Sequence, residues 1–118
     1  KETQITTLNL NGNKIGVEGV SALATVLKET MISSLDVGGN NNGDEGFSAL
    51  AAVLKETQIT NLKIDHNQIG DESAPALTAI LKETQMISLC LWNNSLGPKG
   101  CAALAEGLKG NITLQSLK

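Results

Sequence analysis

The sequence predicts an α/β solenoid in which short units of strand, turn and helix stack along one axis. Lysines stand at positions 1, 28, 55, 82 and 109, a spacing of 27 residues each time. An internal period of this size is typical of stacked repeats. The units align without a gap, and inside each one the apolar spacing changes from two residues to about 3.6. We expect units at 1–27, 28–54, 55–81 and 82–108 and part of a fifth at 109–118, all in the single domain 1–118.

The first half of each unit predicts a short strand. Leu8 and Leu10 alternate to one side of it, and Ile5 is expected to join the same core from the preceding loop. No single unit can bury such a face alone, so neighbouring units must stack. Near the end of the chain Leu117 follows Leu108 by nine positions, where equivalent leucines are eight apart in the first units. We expect a convex loop to absorb the extra residue and leave the strand intact.

A turn and a helix follow each strand. The turn carries an Asn at the same place in every unit: Asn13, Asn40, Asn67 and Asn94. A buried turn must satisfy its backbone polar groups, and stacked amide side chains can do so, which predicts a structural role for these four. Asp44 and Asp71 suit the positive end of a helix, whereas the periodic lysines suit the negative end. Pro75 predicts that the third helix begins late, near Ser73 to Pro75.

The repeated pattern L-x-x-L-x-L-x-x-N-x-I-G-x-x-G-x-x-A-L-x-x-x-L resembles the leucine-rich repeat, specifically the ribonuclease-inhibitor-like subtype also found in NOD-like receptors. The resemblance covers essentially the whole chain, although these units are slightly shorter than the family's usual one. It implies a leucine-rich repeat solenoid shaped as a horseshoe arc, with a short parallel sheet on the concave face and helices on the convex face. It also implies a non-enzymatic scaffold that binds a macromolecular partner on the concave face.

Two positions break the repeat. Asn42 stands where the other units carry Ile or Leu, and we expect the turn to be locally opened and Asn42 to be solvated. The alternative is a contact site in the stretch GGNNNGDEG. Cys101 takes a place on the inner helix face that is apolar in the other units, which predicts a buried thiol packed as a small hydrophobe.

The candidate binding residues are the side chains that alternate with the strand leucines and so line the concave face, together with His66 just beyond the third strand. They are Thr7, Asn9, Asn11, Ser34, Asp36, Asn61, Lys63, Asp65, His66, Ser88, Cys90 and Trp92. The only tryptophan of the chain is therefore predicted to be exposed, and an exposed Trp is a natural interface anchor. The alternative for Trp92 is a ring that lies flat over Lys63 or Asp65 and has no partner.

Composition and charge exclude several classes of partner. The chain has 12 acidic residues, 9 basic residues that are all Lys, and a net charge of −3. Without Arg and with an acidic balance, nucleic acid is not expected as a partner. No apolar run approaches the length that spans a bilayer, so no membrane partner is expected. Two cysteines are too few for a disulfide scaffold and indicate a reducing compartment, which favours a cytoplasmic protein.

Motifs of catalysis are missing from the sequence. It contains no G-x-S-x-G, no G-x-x-x-x-G-K, a single His and no Cys or His pair at metal-ligand spacing. Asp36, Asp65 and His66 form the only cluster with catalytic or metal-binding groups, and no nucleophile or further ligand accompanies it. We therefore expect no enzymatic activity, no cofactor and no metal.

Two functions remain. The first is a module that holds a protein partner of unidentified kind on the concave face, because the concave positions vary between units while the core positions hardly change. The second is a structural segment that extends an array or associates end to end, for example as a homodimer through uncapped repeat ends, because the concave face is poor in aromatics and has no Arg. The chain begins and stops inside a unit, so we expect a piece of a longer array or a short one whose ends pair with another copy.

Overall fold

A computed structural model of the chain describes residues 4–118 and has the predicted α/β architecture. Strands and helices alternate as one pair per unit, and each strand is only two or three residues long. The strands are β1 (Thr7–Asn9), β2 (Ser34–Asp36), β3 (Asn61–Lys63), β4 (Ser88–Cys90) and β5 (Ser116–Leu117), and the helices are α1 (Gly16–Ala24), α2 (Gly43–Leu54), α3 (Ala74–Glu83) and α4 (Pro98–Leu108). A 3₁₀ turn at Asp71–Ser73 precedes α3, which confirms the late start expected from Pro75.

The five strands form one parallel sheet in the order β1-β2-β3-β4-β5. Leu8 pairs with Leu35, Leu35 with Leu62 and Leu62 with Leu89, always 27 residues apart. Leu89 pairs with Leu117, so the extra residue of the last junction is absorbed before β5 and the register of the sheet is kept. The expectation drawn from the leucine spacing is confirmed.

The core is aliphatic and runs continuously between the sheet and the helices. The middle leucines of β2, β3 and β4 are fully buried, and Phe47 is the one aromatic ring among them. The first unit is less well covered, because only the second unit packs on it within residues 4–118. Leu8 and Leu10 are half-buried there, and Ile5 is 51% exposed, so the prediction that Ile5 enters the core is wrong.

The turn asparagines form the predicted ladder between units. The backbone N–H of Asn13 donates to Oδ1 of Asn40, that of Asn40 to Asn67, and that of Asn67 to Asn94, each at 2.8 Å. The side-chain amide of Asn40 in turn donates to the carbonyls of Leu10 and Val37 at 2.9 and 3.0 Å. The amides of Asn40, Asn67 and Asn94 therefore each tie their own turn to the preceding unit.

The aspartates at the helix starts act across units rather than within their own helix. Oδ1 of Asp44 accepts from the backbone N–H of Gly70 at 2.8 Å and from the hydroxyl of Ser73. Oδ1 of Asp71 accepts from the N–H groups of Gly97 and Gly100, both at 2.8 Å. These bonds hold the pKa of the Asp71 carboxyl below its usual range, and the bond from Gly100 has the largest effect. Each aspartate thereby fixes the start of the next helix.

The threonine of the repeated KET stretch ends the helix that precedes it. The hydroxyls of Thr30 and Thr57 donate to the carbonyls of Leu27 and Leu54 at 2.8 Å. The same oxygens accept from the backbone N–H of Ile32 and Ile59, two residues later. The backbone N–H of the same threonine also donates to that carbonyl, so main chain and side chain together close the helix end, and the hydroxyl links it to the chain that leads to the next strand.

Asn42 is buried, so the prediction of an opened turn and a solvated side chain is wrong. Its exposure is 0%. Its backbone N–H donates to Oδ1 of Asn67 at 3.1 Å, as the equivalent N–H of Ile15 and of Ile69 donates to the asparagine of the following unit. The side-chain nitrogen lies 3.5 Å from the carbonyl of Val37, and Oδ1 has no hydrogen-bond partner. The second unit therefore carries a polar amide at a core position.

Cys101 is exposed, which contradicts the prediction of a buried thiol. Val20 and Phe47 at the equivalent position are fully buried. Val20 is covered by the following helix, since Gly46 of α2 lies directly against it. No helix follows α4 within residues 4–118, so the same position stays open on the last helix.

Candidate functional site

The side of the sheet that faces away from the helices is called the strand face from here on. It consists of the first and third residues of β1 to β4, the residue two positions beyond the end of each of these strands, and the equivalent residues at β5. Because the middle residue of each strand is turned into the core, its two neighbours point outward. The structure places all twelve candidate residues on this face or at its edge, and none of them is buried. Their role in binding stays a prediction.

Asp36 is held firmly by its neighbours on the strand face. Its Oδ1 accepts from the side-chain nitrogen of Asn11 at 3.2 Å and from the backbone N–H of Gly38 at 3.0 Å. Its Oδ2 lies 3.8 Å from Nζ of Lys63, longer than a hydrogen bond. The Lys63 side chain is 58% exposed, so this pair contributes little to stability and leaves the ammonium group open to a partner.

Asp65 is turned toward β2 and not toward β4. A Cβ on Gly38 would lie 2.6 Å from Asp65 Oδ1, so the missing side chain of Gly38 provides the space that this carboxylate occupies. Oδ1 is buried there and has no hydrogen-bond partner. Oδ2 lies 2.9 Å from Nδ1 of His66, and the side chain is 15% exposed. The carboxylate is therefore largely shielded from solvent.

His66 links two units at the edge of the strand face. Its Nδ1 meets Asp65, and its Nε2 lies 2.9 Å from the side-chain nitrogen of Asn93. Because an amide nitrogen donates, Nε2 accepts and Nδ1 donates to the carboxylate. The backbone φ is +57° at His66 and +55° at Asn93, both in the left-handed region. The first two units have glycine at the equivalent positions, Gly12 and Gly39. The two side chains fix a turn that glycine adopts without strain.

Trp92 is the largest exposed side chain of the strand face, with 58% of its surface open. It borders a shallow pocket of about 320 Å³ that also involves Lys63, Asp65, Ser88 and Cys90. The predicted exposure of the ring is confirmed. The pocket also includes Lys118, a residue absent from the candidate set. The leucine spacing was sufficient to find it, since a shift of 28 residues places Lys118 beside Cys90 as Leu117 is placed beside Leu89.

The described residues contain neither a metal-binding cluster nor a helix that could cross a bilayer. Within residues 4–118 no three His, Cys, Asp or Glu side chains lie close enough to hold a metal ion. The Asp65–His66 pair has no Ser, Thr or Cys nucleophile among its described hydrogen bonds. In the same part of the chain no helix is long and apolar enough to cross a bilayer. What the face offers is an exposed ring, ammonium groups, amides and hydroxyls.

Comparison with known proteins agrees with the repeat pattern. Residues 3–24, 28–51 and 57–77, together more than half of the chain, match the family described as Leucine Rich repeat. No curated protein matches the chain. Of the solved structures, 48 chains match. One is described as Leiomodin-1 Actin-Binding Site 2 (ABS2); it is 26% identical, has a TM-score of 0.86, and the match covers 95% of this chain and 68% of that one.

Proposed function

The chain belongs to the leucine-rich repeat family, and we propose that it is a non-enzymatic scaffold that binds a protein partner on its concave strand face. One observation carries the proposal. Strand-face residues such as Asp36, Lys63 and Cys90 differ in chemistry although they occupy one row. The leucines between them are the same in all units. A fixed core under a variable face is what a recognition surface requires.

The proposed contact is centred on Trp92. Its ring is open to solvent and stands beside ammonium, thiol and hydroxyl groups. Tryptophan contributes more binding energy than most residues at protein interfaces, because it buries a large area with few rotatable bonds. The acidic net charge of −3 and the lack of Arg favour a protein over a nucleic acid. We also propose that the repeats are of the ribonuclease-inhibitor-like subtype.

Actin is the partner that we propose to test first, because a solved structure that resembles nearly the whole chain is an actin-binding site. The experiment is cosedimentation of the purified protein with actin filaments. We expect saturable binding, and Trp92→Ala should weaken it about 30-fold, as loss of an interface anchor of about 2 kcal/mol does. Val26→Ala serves as the control, because Val26 is 47% exposed but lies outside the strand face.

Three results would decide the matter. The proposal is supported if Trp92→Ala weakens binding and Val26→Ala leaves it unchanged. If both variants and the unchanged protein bind equally, the contact with actin lies outside the strand face. A protein that stays in the supernatant at all actin concentrations would exclude actin as the partner. Circular dichroism of each variant establishes that it is folded.

A second candidate function is end-to-end association. It is favoured by apolar side chains that are exposed in the last described unit, where Ile112 is 95% exposed and Leu108 and Leu117 are partly so. Soluble proteins place isolated apolar residues on the surface without consequence, but a group at the end of a stack resembles an unfilled contact. The proposed homodimer would form through this end.

A further inference from the structure

The pocket beside Trp92 has a distinctive arrangement of charge. Its residues are Lys63, Asp65, Ser88, Cys90, Trp92 and Lys118. Its volume of about 320 Å³ lies at the lower end of the range of roughly 300–1,000 Å³ found for ligand sites. It therefore fits a short segment of a partner and not a folded element.

Two lysines stand on either side of Cys90 at this pocket. Lys63 of β3 pairs with Cys90 of β4. On the other side of Cys90, the backbone N–H of Leu91 donates to the carbonyl of Lys118 at 2.6 Å, and the N–H of Lys118 donates to the carbonyl of Leu89 at 3.0 Å. Since neighbouring strands lie about 4.8 Å apart, the two lysine backbones lie about 10 Å apart with Cys90 between them.

The nearby carboxylates neutralise these lysines only partly. Asp36 already accepts from Asn11 and Gly38, and it approaches Lys63 no closer than 3.8 Å. Asp65 also borders the pocket, but its Oδ1 lies in the space left by Gly38 and its Oδ2 contacts His66. Lys118 forms no salt bridge within residues 4–118. The lining of the pocket therefore has two lysines against one aspartate, an excess of positive charge on a protein whose net charge is −3.

We propose that this pocket recognises an extended acidic segment of the protein partner, with an aliphatic side chain against the Trp92 ring and a carboxylate between Lys63 and Lys118. The inference rests on the proposed function, in which a protein partner binds the strand face. It adds the chemical nature of the segment that is bound. Ammonium groups and a carboxylate supply the charge complementarity that fixes register and raises the association rate. The exposed ring supplies the apolar contact.

Trp92 is itself the reporter for the test, because the chain has one Trp and no Tyr. Its fluorescence is titrated with three capped peptides: acetyl-GDLDLG-amide, the basic analogue acetyl-GKLKLG-amide, and acetyl-GDGDGG-amide, which is acidic but has no apolar side chain. We expect a saturable change with the first peptide only. High salt should weaken it, because the lysines are exposed and screened.

Lysine variants test the charge separately from the ring. Lys63→Gln and Lys118→Gln should each weaken binding of acetyl-GDLDLG-amide about two- to fivefold, the range of exposed ion pairs. Lys28→Gln removes the same charge at an exposed position outside the strand face and should change nothing. Equal or tighter binding of the basic peptide, no response to any peptide, or a loss with Lys28→Gln as large as with the pocket variants would overturn the proposal. Tighter binding of a ten-nucleotide oligo-dT would assign the pocket to nucleic acid instead.

Actin cosedimentation of the Lys63→Gln, Lys118→Gln double variant separates this inference from the proposed function. If filaments bind the double variant and the unchanged protein equally while Trp92→Ala binds weakly, the strand face is the contact and the acidic segment is wrong. If the peptide binds as expected but actin does not, the chemistry of the pocket stands and actin is the wrong partner. Melting curves of the variants exclude misfolding as the cause of a loss.

Discussion

Asn42 shows at the scale of one residue how a repeat tolerates a polar side chain in its core. The other units carry Ile15, Ile69 and Leu96 in this place. The amide nitrogen reaches the carbonyl of Val37 only at the 3.5 Å limit of a hydrogen bond, and its oxygen is buried without a partner. A buried acceptor without a donor costs about 1–3 kcal/mol. The turn keeps its shape because the backbone is held from the third unit by Asn67.

We therefore predict that Asn42→Ile raises the free energy of unfolding by about 1–3 kcal/mol, since it replaces an unsatisfied amide by the side chain that the first unit uses. Gly46 lies beside Asn42 as Gly19 lies beside Ile15, so in both units a glycine leaves the space next to this position free of a Cβ. Urea denaturation measures the effect. Asn40→Ile, two residues away and equally buried, should instead destabilise, because that amide is fully bonded. A loss of stability in Asn42→Ile would contradict this account.

At the scale of the element, the turn is stabilised by the unit that follows it. Oδ1 of Asn67 accepts from the backbone of Asn40 and Asn42, while its amide nitrogen donates to the carbonyls of Val37 and Asp65. Asn13 lies in the first unit, is exposed, and donates to the carbonyls of Leu10 and Asn11 within its own unit. The same residue type therefore contributes differently to stability at different places in the stack.

This difference predicts unequal effects of one substitution. Asn67→Ala leaves several buried backbone groups unsatisfied and should cost at least about 3 kcal/mol, whereas Asn13→Ala should cost less than about 1 kcal/mol because water replaces its bonds. Chemical denaturation gives both values. Hydrogen exchange should also become faster at the backbone amides of Asn40 and Asn42 in the first variant. Similar losses for the two variants would show that the ladder does not act between units.

At the scale of the whole molecule, the sheet has two open edges within residues 4–118, since β1 and β5 each pair on one side only. Open strand edges and the apolar side chains near β5 favour association of stacks. We predict that sedimentation equilibrium shows a mass that rises with concentration. Ile112→Lys should abolish the rise, and Met31→Lys, at a residue 50% exposed in the second unit, should not. A monomer mass across the whole concentration range would exclude the second candidate function.

Most of the fold follows from the period of the sequence, because each unit contains its own strand, turn and helix. The strand positions, the turn asparagines, the late start of α3 and the register of Leu117 depend on residues close in the chain and were predicted. The division into units at 1–27, 28–54, 55–81, 82–108 and 109–118 stays a prediction.

The features that sequence reasoning missed depend on neighbouring units. Whether Cys101 is covered is decided by the presence of a following helix, and the pattern inside its own unit does not contain that information. The same holds for the site. The alternation of residues along each strand predicted that Trp92 and Lys63 lie on the strand face. The position of the Asp65 carboxylate beside Gly38, however, depends on residues of two neighbouring units. The partners of Asp44 and Asp71 in the next unit were missed for the same reason.

The asparagine ladder also bears on how such a protein changes length in evolution. Every turn offers a backbone donor to the unit after it and an amide acceptor to the unit before it, always in the same geometry. If 27 residues are deleted or duplicated in register, the newly adjacent turns meet with matching groups, and no residue has to be altered to close the ladder. Recombination between the near-identical KET segments would produce such changes, so the array can grow or shrink while its asparagine ladder stays complete.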